Sequence, residues 1–382
     1  MKRLNKEKLA QNIETRINDD VNACRVGGAL VKICQDGEII YRKSFGSKTP
    51  GGNDRLDFNT MFRLASMTKP VTAAAALVQA SRGKIDISDP VEKYIPEYKD
   101  MYIGTVDENG KIKTLGKAQE KVRILHLLTH SSGIGTMPVG DLQYGMMTPE
   151  QRSTLRGVVD FHANTLLAFE PFTCQFYSPV VGFDVIARIV EITSGKSYDE
   201  FLKKEIFDPL GMKDTTFAPS EEQWKRMIGM HNLENGKSVV CPMPEGCVFA
   251  DFPTTYFCGG AGLASTLDDY SAFAEMLLNE GRAGERQIIK PELIKEMRTP
   301  QLPKTVMGDP VIWGLGVRVI TNESYKNLPV GSFGWSGAYG THFWVDPANR
   351  ITAVYLKNSA YDGGAGAVTA SNFEADVTNA LE

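Results

Sequence analysis

Phe62-Arg63-Leu64-Ala65-Ser66-Met67-Thr68-Lys69-Pro70, followed by the Ala-rich run from Val71 to Ala80, is the stretch on which the fold turns. The run predicts a helix. Pro70 is tolerated in a first helical turn and nowhere later, which places the start just before Ser66. Residues three apart share a helix face, so the Ser66 hydroxyl and the Lys69 amine meet without help from tertiary structure. A hydroxyl beside an amine is one of the few ways to make a serine nucleophilic. The helix N-terminus adds a positive dipole end and free N–H groups, which suit the anion formed on acyl attack.

Context, not the bare pattern, singles out this copy. Chance gives roughly one Ser-x-x-Lys in a chain of this composition. A second copy, Ser81-Arg82-Gly83-Lys84, falls where the same helix ends at Gly83 and reads as a solvated C-terminal turn. An unperturbed lysine has a pKa near 10.4, so about one molecule in a few thousand is neutral at pH 7. A catalytic Lys69 therefore needs burial, a second cation or a hydroxyl network. Tyr177, in the Pro-punctuated loop Cys174-Gln175-Phe176-Tyr177-Ser178-Pro179, is the candidate helper.

The bulk numbers set limits. The chain has 382 residues, with Lys+Arg 42 against Asp+Glu 46 and a net charge of −4. No basic run or nucleic-acid motif occurs, so a nucleic-acid partner is not expected. No stretch is long and apolar enough to span a membrane. Met1 to Lys8 carries charges with no apolar core behind them, unlike a signal peptide. The expected location is the cytoplasm, and the six cysteines (Cys24, Cys34, Cys174, Cys241, Cys247, Cys258) are expected to be reduced and mostly buried.

Around the serine stretch the two chain ends read alike. Leu4, Leu9, Ile13 and Ile17 recur at helical spacing and predict an amphipathic first helix. Residues 28–33 and 38–42 read as strands joined by the turn signal Gln35-Asp36-Gly37. Residues 316–320, 342–346 and 351–356 read as strands, with a turn at Pro347-Ala348-Asn349-Arg350 and a closing helix from about Val368 to Leu381. The middle reads as helical over 122–129, 148–168, 182–193 and 198–207, with 104–121 a polar surface excursion. An α/β (α+β) fold follows: an antiparallel sheet flanked by N- and C-terminal helices, with an inserted helical lobe. Residues 1–64 and 218–382 form the α/β lobe and 65–217 the mainly helical one, a single catalytic unit with its site between them.

A last segment, Gly334-Trp335-Ser336-Gly337-Ala338-Tyr339-Gly340, offers small residues that let a backbone approach a ligand closely. With it the chain resembles the serine β-lactamase and penicillin-binding superfamily, and within it the family VIII carboxylesterases and class C β-lactamase-like hydrolases. The segments that carry the resemblance run in the family's order from residue 27 on. They are Phe62 to Lys69, Ile124-Leu125-His126-Leu127-Leu128-Thr129-His130-Ser131-Ser132-Gly133, and Tyr177-Ser178-Pro179 with the helix ending Glu191-Ile192-Thr193-Ser194-Gly195. Pro209-Leu210-Gly211-Met212-Lys213, Gly259-Gly260-Ala261-Gly262-Leu263 and Trp335-Ser336-Gly337 complete the set.

The resemblance implies a β-lactamase-like fold and roles for single residues. Ser66 matches the acylated nucleophile, Lys69 the general-base partner and Tyr177 the proton-shuttling tyrosine. Trp335-Ser336-Gly337 stands where β-lactamases of this group carry Lys-Thr-Gly and is similar to the esterase branch as a substrate-binding segment. The N–H groups of Ser66 and Ala338 would form the oxyanion hole. Two departures favour neutral esters: Pro179 replaces the Asn of Tyr-x-Asn, and Trp335 replaces the Lys of Lys-Thr-Gly. The expected partner is a small-molecule ester, with no cofactor and no metal. A β-lactamase, a D-amino-acid peptidase, an acyltransferase of the same fold and a non-catalytic sensor stay open, and so does the oligomeric state.

Other patterns lead elsewhere. His126 and His130 stand four apart on a predicted helix, as in metal sites, but Leu127 occupies the place of the Glu in His-Glu-x-x-His. Gly260-Ala261-Gly262 lacks the third glycine of a nucleotide fingerprint, with Ser265 in its place. No Gly-x-Ser-x-Gly elbow occurs. Cys174 reads as a packing residue.

Overall fold

A computed structural model describes residues 1–382 apart from 50, 51, 53, 242–254, 304, 305, 307–310, 358, 360 and 365. Cys247 and the side chain of Cys241 lie outside the described residues; Cys24, Cys34, Cys174 and Cys258 are free thiols. Helix α1 (Lys6–Asn22) starts at Asn5, whose side chain accepts from the Lys8 N–H. It turns Leu9, Ile13 and Ile17 inward, as the spacing predicts. Strands β1 (Gly28–Gln35) and β2 (Glu38–Gly46) follow, joined through Asp36 and Gly37, both at positive φ (53° and 79°). Positive φ at two successive turn residues matches the right-handed twist of a hairpin, which is why Asp-Gly marks it.

The C-terminal part supplies β3 (Val311–Trp313), β4 (Arg318–Ile320), β5 (Phe333–Ser336), β6 (His342–Asp346) and β7 (Ile351–Lys357). With the first hairpin they form one seven-stranded sheet in the order β3-β4-β5-β6-β7-β1-β2. Every pairing is antiparallel. Here β7 docks beside β1, with Ala29 opposite Lys357.

Both faces of the sheet are covered, so β1 and β7 are buried almost throughout instead of alternating. One face carries Ala29, Val31, Ile33, Trp344 and Tyr355 against α1 and the closing helix, which runs Val368–Thr378. The other carries Leu30, Phe343, Val354 and Leu356 against a helix at Leu267–Leu278 and the helices of the middle section. Among those, α2 (Thr68–Ser81) is buried along nearly its whole length and packs against α3 (Val181–Ser194). Its Ala73 to Ala76 leave room for that close approach.

Two expectations are corrected, and the surface excursion at 104–121 gains a defined form. The predicted helix over 148–168 is two short helices, Pro149–Arg152 and Leu155–His162, followed by a strand at Leu166–Leu167. Thr148 and Thr154 each accept from the N–H three residues on, so the second threonine restarts the helix in place of continuing it. The polar stretch 104–121 is a hairpin, Tyr102–Val106 with Ile112–Lys117, paired to Leu166–Leu167. His126 and His130 do not share a helix face, because that helix ends at Leu128 and His130 has φ 56°.

Candidate active site

Ser66 is the middle residue of a tight turn, Ala65–Met67, that leads into α2. Ala65 before it is left-handed (φ 47°), a conformation that costs a non-glycine residue about 1–2 kcal/mol. The surroundings hold the turn: Leu64 N–H donates to Leu263 O (2.9 Å), Leu263 N–H to Thr68 Oγ1 (3.1 Å), and Tyr270 OH to Met67 O (2.8 Å). Strain over-determined in this way clusters at functional sites.

Lys69 lies one turn on and is fully buried. Its Nζ is 3.2 Å from Ser66 Oγ, 2.6 Å from Pro179 O and 2.8 Å from Gly260 O. These three oxygens match the three N–H bonds of an ammonium. A neutral amine fits the same place, giving two N–H groups to the carbonyls and turning its lone pair to the Ser66 hydroxyl. A proton can therefore pass between Oγ and Nζ with no movement of the lysine. Gly260 is needed for this arrangement: a Cβ there would stand 2.8 Å from Val180 Cα. Asp184 holds the same turn from behind, accepting from Gly259 N–H (2.7 Å) and from the Tyr256 hydroxyl. Its burial raises the carboxyl to about 6, against the hydrogen bonds that lower it.

Tyr177 arrives from the loop before α3. Its hydroxyl donates to Ser66 Oγ at 2.7 Å, and Lys69 Nζ sits 4.9 Å from its ring centroid. The sequence-predicted trio thus converges on one oxygen.

Strand β5 forms a further wall. Trp335 faces the helical side, its ring 5.6 Å from Tyr177 and 4.4 Å from Trp313. Ser336, its neighbour, points to the opposite face, as strand alternation requires. Its hydroxyl is 2.9 Å from His342 Nδ1, directly across the ladder, and His342 Nε2 is 3.0 Å from Glu374 Oε1. Glu374 also pairs with Arg318 and accepts from Tyr325 OH (2.6 Å). Ser336 thus anchors the strand from beneath, and its hydroxyl is committed to that network.

Gly337 lies against the serine turn. A Cβ there would stand 2.2 Å from both Leu64 O and Thr341 Oγ1. Gly337 N–H donates to Thr341 O (2.7 Å) and its carbonyl accepts from Gly340 (2.9 Å) and Gly364 (2.8 Å). Among the described residues, no backbone carbonyl accepts from the Ala338 N–H. Ser66 N–H is in a first turn, where N–H groups lack intrahelical partners. Trp313, which stacks on Tyr177 at 6.0 Å, and Asp184 were not legible as site residues. Only the isolated Trp before Gly314-Leu315-Gly316 hints at the former.

A family model described as Beta-lactamase matches residues 10–374. The chain belongs to the Beta-lactamase family. Protein Rv1367c of Mycobacterium tuberculosis is 28% identical over 372 residues, covering 90% of this chain and 88% of its own length. Esterase EstB of Burkholderia gladioli is 26% identical over 390 residues, covering 94% of this chain and 93% of its own. The solved structure of EstCE1, described as a hydrolase with promiscuous acyltransferase activity, has a TM-score of 0.80 at 22% identity over 97% of this chain and 99% of that one. The protein is thus a β-lactamase-fold member of a serine hydrolase family with esterase relatives. Among the described residues no helix is long and apolar enough to cross a membrane.

Proposed function

We propose that this protein cleaves small carboxylic esters through an acyl-enzyme on Ser66. The observation that carries the reading is the convergence of Lys69 Nζ (3.2 Å) and Tyr177 OH (2.7 Å) on Ser66 Oγ. In the first step Oγ attacks the ester carbonyl carbon and its proton passes to the Lys69–Tyr177 pair. The N–H groups of Ser66 and Ala338 receive the oxyanion, a donor typically contributing about 3–4 kcal/mol. The alcohol leaves with the proton. Water then repeats the attack in the opposite sense, and the acid departs with Ser66 restored. In this reading Ser66 works between two lobes, residues 1–64 with 218–382 and residues 65–217.

Two features support an ester over a β-lactam. Pro179 brings no side-chain amide, and its carbonyl is taken by Lys69. Trp335 and Trp313 put aromatic surface where a cation would meet a lactam carboxylate. The name of Esterase EstB agrees with this reading. EstCE1 is described as having promiscuous acyltransferase activity, so the assay includes an added alcohol as a test acceptor. The test is labelling by an active-site phosphonate, read by intact mass. One adduct is expected on the wild type and on Ser81→Ala, and none on Ser66→Ala. Labelling that survives Ser66→Ala ends the proposal.

A further inference from the structure

His130 is buried, sits in a left-handed backbone conformation, and does not touch Ser66 or Lys69 by hydrogen bond. It grips the Tyr177 loop on both sides of the tyrosine. Its carbonyl accepts from Phe176 N–H (2.9 Å), and its Nδ1 accepts from Ser178 N–H (3.0 Å). Its ring lies 4.5 Å from that of Tyr177, at 39°. Trp313 at 4.2 Å and Phe183 at 5.3 Å close the remaining sides. The neighbours of His130 add to the hold: Thr129 O accepts from Gln175 Nε2 (3.3 Å) and Ser131 O from Phe172 N–H (2.8 Å).

We propose that His130 is the positioning residue of Tyr177, fixing residues 176 and 178 so that the tyrosine hydroxyl stays on Ser66 Oγ. The proposal rests on the reading of Tyr177 as a proton-transfer group. A backbone N–H can only donate, so Nδ1 must carry a lone pair and the ring proton must sit on Nε2. Nε2 meets no polar partner among the described residues and is enclosed by the three aromatic rings. Burial, and then the nearby Lys69 charge, hold the imidazole well below its ordinary pKa, which preserves that lone pair. The loop has no regular secondary structure of its own, so these two hydrogen bonds and the ring contact replace the ladder a strand would have provided. A misplacement of about 1 Å in a reacting group costs on the order of 100-fold in rate.

Two polar variants of similar size test this. His130→Asn sets an amide oxygen about where Nδ1 stood, and asparagine tolerates positive φ. His130→Gln carries its amide out to the Nε2 position and leaves Ser178 N–H without its acceptor. For a short-chain nitrophenyl ester, the Gln variant is expected to lose about 10–100-fold in kcat with KM within about threefold. The Asn variant is expected to stay within about fivefold of wild type. In a Tyr177→Phe background the Gln substitution should change kcat by less than about threefold, because the group it positions is gone. A Gln variant as active as the Asn variant overturns the proposal, and so does an undiminished Gln penalty in the Tyr177→Phe background. If Tyr177→Phe alone keeps wild-type kcat, the proton-transfer reading falls and this one with it. An additive cycle on an impaired Tyr177→Phe enzyme sinks this one alone.

Discussion

Replacing Gly337 by alanine should damage catalysis while leaving the fold in place. The added methyl would lie 2.2 Å from Leu64 O, a backbone atom of the serine turn, and 2.2 Å from Thr341 Oγ1. Real Cβ atoms essentially never come within 3.0 Å of a neighbour. The threonine hydroxyl can rotate, although it would give up its 3.0 Å bond to Leu64 O. The carbonyl cannot. Strand β5 and the serine turn must therefore separate by about 1 Å, and the Ala338 N–H moves away from the Ser66 N–H by a similar amount. An oxyanion donor works at about 2.7–3.1 Å, so a shift of that size removes most of its contribution. The expected loss is about 100–1000-fold in kcat with little change in KM, since the donor acts on the transition state. Overpacking should lower stability by about 1–3 kcal/mol, visible as a modest fall in Tm. The assay is kcat and KM for a short-chain nitrophenyl ester, with a thermal melt on the same sample. A folded Gly337→Ala enzyme within threefold of wild-type kcat would show that β5 does not set the oxyanion geometry.

Tyr177→Phe should fall by about 10²–10⁴ in kcat with folding intact. The double variant Lys69→Ala/Tyr177→Phe should be little worse than the poorer single one, and losses that multiply would show that the two do not act as a unit. On one enzyme preparation, kcat/KM for a short-chain ester should exceed that for a chromogenic cephalosporin, each absent polar anchor counting for about 1–3 kcal/mol; an equal or higher cephalosporin value restores a β-lactamase or peptidase assignment. Burial raises the Asp184 carboxyl to about 6, so the folded state holds its proton more tightly than the unfolded chain does. That contribution to stability is complete below about pH 4 and lost as pH rises through about 6. Asp184→Asn should remove this slope from a plot of Tm against pH, and superimposable wild-type and variant slopes would count against it.

What the sequence made legible is what depends on short-range order. The Asp36-Gly37 turn, the inward stripe of α1 and the pairing of Ser66 with Lys69 each follow from residues a few positions apart. Tyr177 stands 111 residues from Ser66, and no local signal brings it there. Its Pro-punctuated loop makes it a candidate helper, and the resemblance of several ordered segments is what implies its proton-shuttling role. Trp313 and Asp184 escaped because their roles arise from packing between distant elements, Trp313 against Trp335 and Asp184 against the Gly259 turn. The break in 148–168 escaped for another reason: a mid-pattern threonine reads equally as a helix residue or as a new cap, and only its hydrogen bond to Gly157 decides.

The buried lysine shows why so much of the chain is needed to present one hydroxyl. Lys69 is fully buried and has no carboxylate within ion-pair distance among the described residues. Burying a cation without a partner is costly, and an acidic neighbour would offset that cost most directly. Such a neighbour would also hold the proton on the amine and so oppose its transfer from Ser66. Two backbone carbonyls resolve the conflict. They carry partial negative charge, they solvate both the ammonium and the amine, and they do not titrate. Holding them at 2.6 and 2.8 Å requires Pro179 in the loop after Tyr177 and a glycine at 260 pressed onto Val180. The glycine turn is in turn fixed by Asp184, whose charge is spent on Tyr256 and the Gly259 N–H and does not reach the amine by hydrogen bond. The acidic group thus acts one step removed from the lysine, where it orders the cage without trapping the proton.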